Sequence, residues 1–113
     1  MKRINYGPVS YLVGDDIADL LVLYTARLAA SQLAEAVEVT VLGPAGNTEV
    51  ASFALGPGIT MTAESTRSDL DEPDNAEVAT RIREAIGQLT PTHVLPMSVE
   101  DVLSMDNAFD SSI

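Results

Sequence analysis

The side chains able to take part in chemistry are few, and their spacing completes no known catalytic set. His93 is the one histidine of the chain. A general base needs an acid or nucleophile held beside it, and the Thr-His-Val-Leu-Pro context carries no triad signature. Asp15, Asp16 and Asp19 stand together where a helix should begin. Three carboxylates there could approach a divalent metal, but acids in a first turn also complement the helix dipole, and no nearby histidine completes a ligand set. The acidic stretch 69–75 fails the calcium-loop pattern: counted from Asp69, Asp74 falls where glycine is required and Thr80 where the closing glutamate belongs. Two Leu-Gly-Pro segments, 42–44 and 55–57, lack the lysine and following helix of a phosphate loop and read as turns. The chain has no cysteine, which removes thiolate nucleophiles, thiolate metal sites and disulfides. No catalytic residue, metal ligand or cofactor is assigned.

Binding is the better-supported class. Six basic residues stand against 17 acidic ones, a formal charge of −11. Lys2, Arg3, Arg27, Arg67, Arg81 and Arg83 are dispersed, whereas phosphate affinity needs them clustered. Nucleic acid and anionic membranes are therefore not expected partners, while a protein with a basic surface is. The acid is concentrated late in the chain: residues 64–113 carry three basic and eleven acidic side chains. Within that part Met97, Val99, Val102, Leu103, Met105 and Phe109 interleave with acids. Such a segment suits docking into a groove on another protein, or folding back on its own domain. The polar strand positions Glu38, Thr40, Thr60 and Thr62 suit either a solvated sheet face or a ligand face.

These residues need elements to position them. Residues 9–13 alternate as a first strand, and Asp15 is placed to cap a helix from Asp16 to about Glu35. On that helix Ile17, Leu20, Leu21, Tyr24 and Leu28 form one apolar stripe, and Ala18, Val22, Thr25, Ala29 and Leu33 a second. Two stripes exceed what one sheet covers. Strands follow at 37–42, 49–55 and 59–63, the first two as a hairpin through Gly43-Pro44-Ala45-Gly46-Asn47. A second helix, capped by Asp74 or Asn75, carries a single stripe of Val78, Ile82, Ile86 and Leu89. Its narrowness leaves Val22, Leu23, Ala26 and Ala30 as a candidate helix-face interface, most simply a two-fold homodimer. If the second helix and the tail cover that face instead, the chain stays a monomer.

The sequence therefore predicts an α+β fold, a two-layer sandwich with a small mixed sheet of about four strands in the order β-α-β-β-β-α. The first strand and helix would make a right-handed crossover into the second strand, and the last three strands a meander. Residues 1–90 form one domain, 65–74 an exposed acidic linker within it, and 91–113 an acidic, partly disordered extension. The N-terminus lacks the apolar run of a secretory signal, and the apolar stretch 17–36 carries Asp19, Arg27 and Glu35; a cytoplasmic location is expected. The expected function is an interaction or regulatory module that binds a protein partner or itself. The alternative is a small-molecule binder or minor enzyme with a site at the sheet face.

Overall fold

The computed structural model of the protein describes residues 1–89. It has an α+β architecture of seven elements: β1 (Lys2–Tyr6), β2 (Val9–Val13), α1 (Asp15–Ala30), β3 (Glu35–Leu42), β4 (Thr48–Leu55), β5 (Met61–Ser65) and α2 (Ala76–Leu89). The five strands form one sheet in the order β4-β3-β2-β1-β5. Helix α1 lies against β1, β4 and β5, and α2 packs on α1. No helix among the described residues is long and apolar enough to cross a membrane.

The sheet departs from the expected mixed sheet of about four strands in two ways. Lys2–Tyr6, assigned to no element from sequence, is the central strand of the three-stranded part β5-β1-β2. Only Ile4 in it is fully buried, too few inward apolar positions for alternation to show. Gly7 turns the chain into β2 with φ +58, and Pro8 follows with its ring-fixed negative φ. That order of signs is what a two-residue type II′ hairpin needs.

Every strand pair is also antiparallel, including the pair joined through α1. The expected right-handed crossover is absent. Sixteen residues of α1 carry the chain about 24 Å, and the eight residues of β3 bring it about 26 Å back. Strand β3 meets β2 at a single register pair, Leu12 with Leu42. Nor do the last three strands make a meander. Strand β4 pairs β3 over eight positions as the expected hairpin, but β5 crosses to the far edge and pairs β1.

Helix α1 ends earlier than its apolar pattern implies. Gly14, not Asp15, is the N-cap, and Asp15 and Asp16 occupy the first turn. At the other end Gln32 adopts φ +56. The Gln32 N–H donates to Ala29 O (3.1 Å) and Leu33 N–H to Leu28 O (2.9 Å), the paired bonds of a Schellman stop. This excludes Leu33 from the helix, and it is 48% exposed. The first stripe behaves as expected: Ile17, Leu21, Tyr24 and Leu28 are buried and Leu20 is partly buried. Buried Thr25 donates its hydroxyl to Leu21 O (2.7 Å), so the second stripe carries no unsatisfied group there.

The core gathers around Phe53. Its ring meets Tyr6 edge-on with centroids 5.3 Å apart and Tyr11 at 5.9 Å, and the Tyr6 hydroxyl donates to Ala54 O (2.8 Å). The hairpin β3-β4 and the three-stranded part β5-β1-β2, joined by one main-chain pair, are thus held together mostly by side chains.

Candidate functional site

The three clustered carboxylates are each engaged by a different cation. Asp15 pairs with the N-terminal ammonium (3.0 Å), Asp19 with Lys2 (2.6 Å), and Asp16 with Arg83 of α2. The Asp19 hydrogen bond holds the Lys2 ammonium above its usual pKa, against a smaller opposing effect of desolvation. The carboxylates fan outward along α1 toward these partners, and no group of three metal-ligating side chains converges among the described residues.

Glu38, Thr40 and Thr62 alternate with core-facing residues and so lie on the outward side of the sheet, but on strands far apart. Thr62 belongs to β5 at one edge of the sheet, where Asn5 Nδ2 donates to its hydroxyl (2.9 Å) and to Glu64, and Ser10 donates to Asn5 Oδ1 (2.7 Å). Thr60 precedes β5, and Glu38 and Thr40 lie on β3, two strands removed from β1. The four positions therefore stand at two separate places, around β5 and along β3. On the helix face, Val22, Ala26 and Ala30 are exposed and Leu23 is half-buried. Val22 and Ala26 border a 240 Å³ recess with Thr25, Gly58, Ile59 and Met61. His93 and the tail residues Met97, Val99, Val102, Leu103, Met105 and Phe109 lie outside the described residues.

A feature that sequence reasoning missed lies along β3. Main-chain groups of a strand alternate sides, so residues two apart aim their N–H and C=O at the same neighbour. Leu42 meets β2. Thr40 meets the side chain of Asn75: its N–H donates to Asn75 Oδ1 (2.9 Å), and Asn75 Nδ2 donates to its carbonyl (2.8 Å). The carboxamide thus makes both bonds that a residue of a sixth strand would make. Continuing by twos, Glu38 and Ala36 point their main-chain groups the same way, and both residues are exposed. Neither has a main-chain partner on this edge among the described residues.

Asn75 is aimed by the segment before it. The Glu72 carboxylate lies over Gly14, where a β-carbon would collide with it, and Pro73 is buried. Asp74 accepts from Ala76 N–H (3.0 Å) while Ala79 N–H bonds Asn75 O (2.9 Å), which starts α2. Ser65, the first residue of the expected linker, belongs to β5; residues 66–72 are mostly exposed, and Pro73 is buried on the domain.

Beside the open edge runs a groove of 510 Å³ lined by Tyr24, Ala36, Val37, Val78, Ile82 and Ala85, with Glu35, Glu38 and Arg81 at its rim. That volume lies within the range of binding clefts. A 250 Å³ recess adjoins it through Glu38, Val78 and Arg81, and adds Asp74 and Glu77. Four carboxylates and one guanidinium therefore line the two recesses. Burial, and secondarily the charge of Glu35, pushes the Tyr24 phenol up from its ordinary pKa, so the phenol on the groove wall is a neutral hydrogen-bonding group at physiological pH. The only sequence signals for this site were the alternation of β3 and the cap at Asn75. Neither shows which strand edge is left unpaired.

No protein family matches the chain, and neither the curated proteins nor the solved structures compared with it give a match.

Proposed function

We propose that this protein is a non-catalytic interaction module whose binding surface is the open edge of β3 together with the groove beside α2. The observation carrying this reading is the main-chain pattern of β3: Asn75 occupies the strand-pairing position at Thr40, and the next two positions, Glu38 and Ala36, are exposed in the same register. Exposed strand edges pair readily with other chains, and natural proteins usually blunt them. Here the edge is blunted at one end only, and a groove with Val37, Val78, Ile82 and Ala85 in its wall lies alongside it to receive side chains. Main-chain bonds supply affinity in such strand addition, and the groove supplies selectivity. Either a partner protein or a second copy of this chain satisfies this reading, and the acidic charge favours a partner with a basic surface.

The test places a photo-cross-linking amino acid at Glu38 or, as a control, at Thr60, in cells that make the protein. Discrete protein adducts are expected from position 38 and not from position 60. An absence of adducts at 38, or the same adducts from both positions, would overturn the reading.

A further inference from the structure

Resting on that reading, we infer that the occupant of the β3 edge is an extended peptide segment carrying lysine or arginine, added as a sixth strand. Three features of the site select this class. The edge supplies N–H and C=O groups at Ala36 and Glu38 in strand register, which only an extended main chain satisfies together. The wall formed by Val37, Val78, Ile82 and Ala85 is apolar, so side chains of the added strand that face it are aliphatic. The rim is acidic: Glu35, Glu38, Asp74 and Glu77 against Arg81 alone. Alternate residues of a strand face opposite sides, so a segment alternating aliphatic and basic residues sets its aliphatic side chains on the Val37 face and its basic ones on the Glu38 face.

The charge of the whole molecule acts in the same direction. A net charge of −11 attracts a cationic segment and speeds its encounter at low salt. It also disfavours the other two candidates for this edge. The chain beyond α2, residues 90–113, contains four acidic residues and no lysine or arginine. A second copy would bring the same carboxylates against themselves, and like charges directly opposite across a strand pair are destabilising.

The experiment uses the full chain, uniformly ¹⁵N-labelled, and two short synthetic peptides, one alternating valine with lysine and one alternating valine with glutamate. The lysine peptide is expected to shift the Ala36 and Glu38 amide resonances, slow their hydrogen exchange, and bind at least about tenfold more tightly than the glutamate peptide at low salt. Added salt should shrink that ratio. The double variant Glu35→Lys with Glu38→Lys changes two exposed side chains and should reverse the preference, its dispersed spectrum serving as the check on folding. If both peptides move the same two amides equally, the cationic class is overturned while the strand-edge reading stands. If neither moves them, the proposal fails; slow exchange at both amides in the unmixed chain then means that the edge is already filled, by residues 90–113 or by a second copy. Light scattering separates those two, since only the second copy doubles the mass.

Discussion

The two outer parts of the sheet treat their polar groups differently. On the three-stranded part β5-β1-β2, Asn5, Ser10, Thr62 and Glu64 form an exposed ladder in which side chains satisfy one another. Along β3 the groups at issue are main-chain ones, and a side chain can replace a missing strand only one residue at a time. Asn75 does so at Thr40; Ala36 and Glu38 have no such substitute among the described residues. The difference arises upstream. Strands β1, β2 and β5 are short, adjacent and fully in register, whereas α1 comes between β2 and β3 in the chain, and β2 reaches β3 at Leu42 alone. Among the described residues, the part of β3 before Leu42 is therefore left unpaired by β2.

The comparison breaks most severely if its hinge is removed. Phe53→Ala should destabilise the fold by about 3–5 kcal/mol in denaturant unfolding, because the ring is 1% exposed and contacts both sheet parts. A change under about 1 kcal/mol would mean that the two parts are not held by this cluster.

Next comes the corner from which β3 departs. Gly56 has φ +152, and a β-carbon there would lie 2.8 Å from Leu33 O. Gly56→Ala should cost about 1–3 kcal/mol, since backbone rather than a flexible side chain must move. Thermal unfolding of the variant measures it.

Asn75→Ala should cost about 1–2 kcal/mol and speed amide exchange at Thr40, leaving its N–H and C=O as open as the positions before it. Asn75→Asp sharpens the point: the acceptor for Thr40 N–H remains while the donor to its carbonyl is lost. Exchange at Thr40 should stay slower in the Asp variant than in the Ala variant. Equal exchange in both would show that the carboxamide is not standing in for a strand.

A smaller effect of opposite sign is expected at the end of α1. Gln32→Gly should stabilise by about 0.5–1 kcal/mol, because φ +56 carries a steric cost for glutamine that glycine avoids. The midpoint of urea unfolding should rise without a change in slope.

The smallest effect reads the groove itself. Tyr24 ionises later in the folded than in the unfolded chain, through burial first and Glu35 second. Its contribution to stability is therefore complete below the unfolded phenol pKa near 10 and is lost as pH rises through the folded value. Glu35→Gln should lower the Tyr24 pKa part of the way, leaving the burial effect in place. Ring-carbon NMR of Tyr24 across the alkaline range records both. An unchanged titration would separate Glu35 from the groove wall.

Local chemistry made much of this protein legible without coordinates. The 3.6-residue spacing of Ile17, Leu21, Tyr24 and Leu28 marks α1, and that of Val78 and Ile82 marks α2, because a helix buries one side at that period. Turn residues around Gly43 and Gly46 between two alternating runs mark the β3-β4 hairpin. Composition set the net charge of −11. Two things were not local. Lys2–Tyr6 is a strand because β2 and β5 flank it, and five residues with one buried side chain announce nothing alone. The direction and pairing of β3 depend on where α1 stops, which is decided by the Schellman turn at Gln32 and by the close approach of Gly56 to Leu33, a contact between residues far apart in the chain. Sequence supplied the faces; tertiary structure decided which strand edge was left without a neighbour, because register is a property of pairs and no single strand encodes it.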